Sequence, residues 1–264
     1  MTSAAEAVAF VGQGQAEVGF ENLSPANIWL IATPDDAISA VSESLSATGV
    51  LRKGDIVFHC SGSLNSQILS TTADSGLGWG ASVHPIHSFA NPENSLADFS
   101  GTACGIEGDP AATKLLTALF SAIGGECFSL KADKKALYHA ATVMACNNLI
   151  SLLSLSQQML EAADIDRDTA GHLLQPLIEN SLNNYFRSGD IDALTGPISR
   201  GDSETVAAHL DSLIDHPQWH KIYSSLGEIA VSLSAQQGFA SAEQLKTILR
   251  LLNKPLSEPI KNDP

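Results

Sequence analysis

Between residues 26 and 130 the chain alternates short apolar runs with amphipathic stretches, and that alternation constrains the fold more than any other feature. Ala26–Thr33 (ANIWLIAT), Asp55–His59 (DIVFH), Trp79–Val83, Thr102–Ile106 and Cys127–Leu130 read as strands. Short apolar runs without polar alternation fit strands buried on both faces. Helices are expected between them at Ala37–Ala47, Gln67–Ala73 and Pro110–Ile123. Asp35 or Asp36 is placed to cap the first, and Ser63 or Asn65 the second. This order predicts a parallel, doubly wound α/β sheet. Such sheets bind ligands outside the carboxyl ends of their strands, here ATPDD, HCSG and VHPIHS.

Leu130–Leu160 follows, with no Pro or Gly in its 31 residues. A continuous helix of that length spans roughly 45 Å. Being apolar on most faces, it is expected to be buried, with Tyr138, His139, Asn147 and Asn148 exposed at a seam between two domains. Beyond it the alternation stops. Arg167–Phe186, kinked at Pro176 and capped within Asp164–Asp168, Ser203–Ile214, Pro217–Gln237 and Ser241–Leu252 read as helices, and Ser188–Asp202 as a turn-rich loop. The expected organisation is a sheet domain over 1–130, a helical domain over 131–254 and a flexible tail over 255–264.

Ahead of the first strand, Thr2–Val11 reads as a helix. The glycines of GQGQAEVGF, Gly12, Gly14 and Gly19, lack the spacing of a dinucleotide loop. Gly12 fits a C-cap glycine leading into a short strand.

A formal charge of -15 argues against nucleic acid and anionic membranes as partners. The start lacks a basic leader. No apolar run is read as reaching the ~18 residues that span a bilayer. Cys60, Cys104, Cys127 and Cys146 show no CxxC spacing, which fits reduced thiols in a cytoplasmic protein.

His84 and His87 follow a strand, with His59 and Cys60 at the end of its neighbour. Acid/base chemistry, a metal site and simple loop hydrogen bonding all use such residues; the spacing is not HExxH, and no metal is expected. His139 is the candidate general acid, with Tyr138 second; Asn147 and Asn148 are placed to orient a substrate or bond a neighbouring helix. Thr195 and Arg200 lie in LTGPISRGD, where Arg200 beside a helix start suits a carboxylate or phosphate, or else pairs with Asp202 to fix the loop.

HCSG, SVHPIHSFA, KKALYHAATVMACNNL and ALTGPISRGDSETVAAHL together resemble the NAD(P)-type oxidoreductases that join a Rossmann domain to a helical C-terminal domain of unknown function. The layout is more distantly similar to pyrroline-carboxylate reductases, 6-phosphogluconate dehydrogenases and deazaflavin-dependent NADP reductases. The resemblance implies an NADP or NAD cofactor, a small carbonyl, imine or hydroxy substrate, and an all-α half like that of 6-phosphogluconate dehydrogenase; the Ala- and Leu-rich helices after Ser203 predict a homodimer through the helical domain. By resemblance Thr33, Pro34, Asp35, Ser61 and Gly62 line the cofactor; the residues themselves add His84 to that set, Thr195, Arg200 and Asn148 as substrate contacts, and His139, Asn147, His87 and Tyr138 as catalytic candidates. Two departures stand out. The related dehydrogenases place a lysine four residues before an asparagine on the long helix, and Lys134 and Lys135 read as too early to match it. The family also opens with a strand, a GxGxxG loop, a helix and a second strand, so roughly forty residues of the Rossmann pattern are missing before Met1. The expectation is therefore an N-terminally truncated Rossmann-like sheet, through a misassigned start or a shortened gene. The alternative is a non-enzymatic binding protein that has lost its dinucleotide.

Overall fold

Ile28–Ile31 (β1), Asp55–His59 (β2), Gly78–Pro85 (β3), Ala103–Gly108 (β4) and Glu126–Ser129 (β5) form one sheet in the order β1-β2-β3-β4-β5. The computed structural model describes residues 3–69, 76–89 and 91–255, and its chain divides into two units, Met1–Ile150 and Ser151–Pro264. The tail expected from 255 lies outside the described residues from 256 on, as does the part of the Gln67–Ala73 helix from 70 on. What is described of that helix is a 3-10 turn, Ser66–Leu69.

The sheet is not wholly parallel. β4 runs antiparallel to β3, with Pro85 opposite Cys104. The connection carries a short helix, Pro92–Ala97 (α3), capped by the Asn91 side chain. It then returns beside the end of β3 that it left, where Ile86 N donates to Ala103 O at 2.8 Å. A parallel strand requires the chain to cross back to the other end of the sheet, and this link does not.

The two faces of the sheet differ. Ile56, Phe58, Ala81, Val83, Cys104 and Ile106 form one apolar face, covered by Ala112 and Leu116 of Pro110–Ala122 (α4). On the other face, Ile31 and Val57 pack with Ile38 and Leu45 of Ile38–Ala47 (α2). The rest of that face is polar: His59, Ser82 and Glu107 stand side by side in register. Near-complete burial of apolar side chains in both clusters is the main stabilising term.

Three expectations fail here. β1 is not buried on both faces: it lies at the sheet edge and Leu30 is 52% exposed. Asp35 and Asp36 do not cap α2; they form a 3-10 turn, Asp35–Ala37, and Ala37 takes the cap position without a side-chain bond. The long helix is neither continuous nor buried. It comprises Lys135–Ala145 (α5) and Asn147–Ala162 (α6), broken at Cys146 (φ -112, ψ -71). Leu137 is 73% exposed, Ile150 is 65% exposed, and α6 contains no buried residue. By length and composition Ala132–Ala162 is also apolar enough to cross a membrane, contrary to the reading of its sequence. Its serines interrupt each short apolar run but leave the stretch as a whole apolar.

Upstream, Ser3–Val11 (α1) ends at Gly12, whose N–H reaches Val8 O with φ 74. This is the expected C-cap; no strand follows before β1.

In the second unit, Arg167–Ala193 (α7) continues past Phe186 and breaks at Gly189 (φ 81, ψ 173), inside the segment read as a loop. Pro197–Arg200 (α8), Ser203–Ser212 (α9), Pro217–Gln237 (α10) and Ala242–Leu252 (α11) complete it. Ser241 and Gln244 form a capping box at α11. Ile198, Val206, Leu210, Val231, Leu245, Ile248 and Leu252 form its core.

Candidate active site

α5 lies over the polar part of the sheet because its first two turns carry the side chains that this surface needs. Lys135, fully buried, donates to Ser82 Oγ and sits 3.5 Å from Glu107 Oε1. Glu107 also accepts from Ser66 N at 2.8 Å and Ser66 Oγ at 2.7 Å. His59 Nδ1 accepts from Ser61 N at 3.2 Å and lies 3.5 Å from Ser82 Oγ, while its Nε2 faces Asn65 O at 3.3 Å. Ion pair and hydrogen bonds together make this charge tolerable in the interior. Burial pulls the Lys135 ammonium below its usual value and Glu107 opposes that pull. Burial, then Lys135, lowers His59.

One turn further along α5, Tyr138 occupies a slot made by a missing side chain. Gly105 lies opposite His84 on one side and Phe128 on the other, and a Cβ there would lie 3.0 Å from the Tyr138 hydroxyl. The phenol meets His84 Nδ1 at 2.9 Å and packs edge-on to Phe128, centroids 6.1 Å apart. Burial raises the Tyr138 phenol to about 12. Burial, then His139 and Lys135, lowers His84 to about 4. Near neutrality the phenol therefore donates to a neutral imidazole, which fixes the His84 proton on Nε2.

His139 stands beside this pair, its ring 5.4 Å from that of His84 and nearly perpendicular to it. Both rings press on Gly62: an added Cβ would overlap the His139 imidazole and lie 2.8 Å from His84 Nε2. His139 Nδ1 is buried with no hydrogen-bond partner. The loop below is fixed by Asp35, which accepts from Ser61 Oγ at 2.8 Å and Ser63 Oγ at 3.1 Å. Pro34 starts the Asp35–Ala37 turn, and Thr33 Oγ1, just beyond β1, is also buried and unpartnered.

The structure thus brings Ser61, Gly62, His84, Tyr138 and His139 together, with Asp35 tied in through Ser61. It separates others. His87 turns away to Phe89, centroids 4.9 Å apart. His59 is interior, and burial raises the neighbouring Cys60 thiol to about 11, so neither forms a site wall. The break at Cys146 takes Asn147 off the helix that carries His139, and Asn148 donates to Met144 Sδ at 2.8 Å.

Thr195 and Arg200 belong to the second unit. Thr195 lines an apolar pocket of about 370 Å³ with Leu155, Met159 and the hydrogen-bonded pair His209–Tyr223, whose atoms are 2.8 Å apart. Arg200 is exposed at the end of α8, and Asp202 caps α9 by accepting from Thr205 N and Oγ1. The loop is held by Gln237, which donates to Ile191 O and Leu194 O and accepts from Ser199.

Lys135, Ser82, Glu107, Ser66 and Gly105 were not singled out from sequence. The available signals were a glutamate inside an apolar strand and a lysine three and four residues before Tyr138 and His139.

Residues 16–85 match the profile of a Rossmann-like domain, and residues 102–230 that of a domain of unknown function, DUF2520. No curated protein matches the chain. Protein TM1727 from Thermotoga maritima shares 25% identity at a TM-score of 0.67, over 82% of each chain. BF3122 from Bacteroides fragilis, provisionally described as an NADP oxidoreductase, shares 19% identity at 0.66, over 89% of this chain and 84% of that one. A reductive aminase from Aspergillus terreus, in complex with NADPH and ethyl-5-oxohexanoate, shares 16% identity at 0.53, over 95% and 81%. At these identities the last two show a common fold and nothing finer.

Proposed function

From a chain that joins a Rossmann-like domain to a DUF2520 domain, we propose an NADP- or NAD-dependent oxidoreductase acting on a small carbonyl, imine or hydroxy compound. The observation that carries this reading is His139: a half-buried histidine at the carboxyl ends of the strands, against Gly62 and His84, whose Nδ1 has no hydrogen-bond partner among the described residues. The NADP oxidoreductases among the structural neighbours support the class of reaction.

The residues fit the nicotinamide end of such a cofactor. Thr33 Oγ1 is a buried polar atom with no partner among the described residues, and Gly62, without a Cβ, lets the His84 and His139 rings come down onto the loop beside it. The pyrophosphate end finds no comparable cradle among the described residues, because Gly12, Gly14 and Gly19 lie in an exposed segment with no strand-to-helix turn. A bound nicotinamide supplies or takes the hydride.

This chain's own residues handle the proton. His139 Nδ1 is enclosed, so Nε2 is the nitrogen that gives a proton to the reacting oxygen or nitrogen, or takes it in the reverse direction. Tyr138 is occupied with His84 and serves to orient it.

A second copy of the chain is proposed to cover the exposed apolar residues of α6 and α7, among them Ile150, Leu177 and Phe186, the last 81% exposed. Asn147, Asn148, Gln157 and Gln158 on α6 suit a protein neighbour better than lipid.

The test is turnover of NADPH and NADH with a panel of small ketones, imines and hydroxy acids, followed by cofactor absorbance. The account expects His139→Asn to lower kcat by about 10²–10⁴-fold with cofactor binding intact. Equal turnover by wild type and variant removes His139 from the chemistry.

A further inference from the structure

Lys135 lies outside the proton chemistry proposed above, yet it is fully buried, a rare and costly state for a lysine. Its place in two registers gives a reason. Along β3, Ser82 and His84 are two residues apart and face the same side of the sheet. Along α5, Lys135 stands three residues before Tyr138 and four before His139, on one helical face. Lys135 meets Ser82, and Tyr138 meets His84. Two residues of strand advance about 6.6 Å and three to four of helix about 4.5–6 Å, so seating the first pair sets the second.

We propose that Lys135 is a positioning residue whose buried attachment to Ser82 and Glu107 sets the register of α5 on the sheet, and so holds Tyr138 on His84 and His139 on Gly62. The contacts of its partners are directional. Ser66 donates twice to Glu107, which turns one carboxylate oxygen toward Lys135. Ser82, accepting from Lys135, has its own proton left for His59 Nδ1, and Ser61 N donates to the same nitrogen. Ser61 precedes Gly62, so the network also reaches the loop on which His139 rests. The slot over Gly105 holds the Tyr138 ring between His84 and Phe128. A helix slipped by one residue would take the phenol out of that slot.

The inference builds on the proposed site, but its test needs neither cofactor nor substrate. Histidine-selective 15N NMR of the full chain reads the tautomer of His84. With Tyr138 donating to Nδ1, the wild type is expected to show the Nε2–H form alone. Lys135→Met leaves Glu107 unpaired and is the severe case; Lys135→Met/Glu107→Gln removes both charges and keeps the volume; Ser82→Ala removes one hydroxyl. In each variant that folds, by circular dichroism and a cooperative melt, His84 is expected to become a mixture of both tautomers. A wild-type His84 signal in the folded double variant or in Ser82→Ala overturns the proposal. Where turnover is measurable, kcat is expected to fall by about 10²-fold with KM for the cofactor unchanged. A loss of cofactor binding by the wild type would strike the proposed activity and leave this result standing.

Discussion

His84 and His139 are neighbours with opposite situations. His84 is paired with Tyr138 and pushed toward neutrality, while His139 Nδ1 has no hydrogen-bond partner among the described residues. The pairing makes a pH prediction whose sign is fixed. Burial first, and then His139 and Lys135, lowers His84 to about 4 in the folded chain, against the 6.5 usual for a histidine. Between those values the unfolded chain takes a proton that the folded chain refuses, so stability is full above the upper value and falls as pH drops toward the lower one. His59, shifted the same way, adds to the slope. Urea melts at about pH 7.5 and about pH 5 are expected to differ, and His84→Gln to narrow the gap; an unchanged gap contradicts the assignment. Gly62 gives a second prediction. Gly62→Ala forces the added methyl into both imidazoles, with an expected cost of about 1–3 kcal/mol by overpacking and displacement of His139, seen as a lower melting temperature together with lower turnover. His139 was legible in the sequence because a histidine stands out in a long, otherwise apolar helical stretch. Lys135 was not, because with Lys134 it reads only as too early for the dehydrogenase lysine, and its role rests on His59, Ser82 and Glu107 lying side by side across three strands.

Among the elements, strand positions and most helices followed from apolar period and caps, as with Asp55–His59 and Pro217–Gln237, whose bounds match the sequence reading. The direction of β4 did not follow. Direction depends on the path of the link after Pro85, and neither the strand nor α3 encodes that path locally. Burial of α5 and α6 did not follow either, since an apolar composition says that a surface wants covering and not what covers it. In the second unit the ALTGPISRGD loop proves to be held from α10. Gln237→Ala removes two donors from Ile191 O and Leu194 O and one acceptor from Ser199. A loss of about 1–3 kcal/mol is expected, measurable by denaturant melts with cofactor affinity unchanged. A neutral substitution would show that the loop holds its shape without α10.

At the scale of the molecule, a Rossmann-like part is followed in the chain by a helical part with exposed apolar residues. Leu173, Leu177, Tyr185 and Phe186 of α7 are all exposed. Light scattering at micromolar concentration is expected to give a dimer, and a stable monomer would contradict the proposed cover. The resemblance to dehydrogenases was readable from HPIHSFA and LTGPISRGD, but cofactor choice was not, because the residues that read the ribose of a dinucleotide have no identified counterpart here. The central claim is that the rim formed by Thr33, Gly62, His84 and His139 receives a nicotinamide. Its most direct test is titration of the folded protein with NADPH and NADH, followed by nucleotide fluorescence and melting shift. The account predicts saturable binding of at least one of them, weakened by Gly62→Ala. Absence of fluorescence change and melting shift with either nucleotide at about millimolar concentration, with the chain well folded, would contradict it.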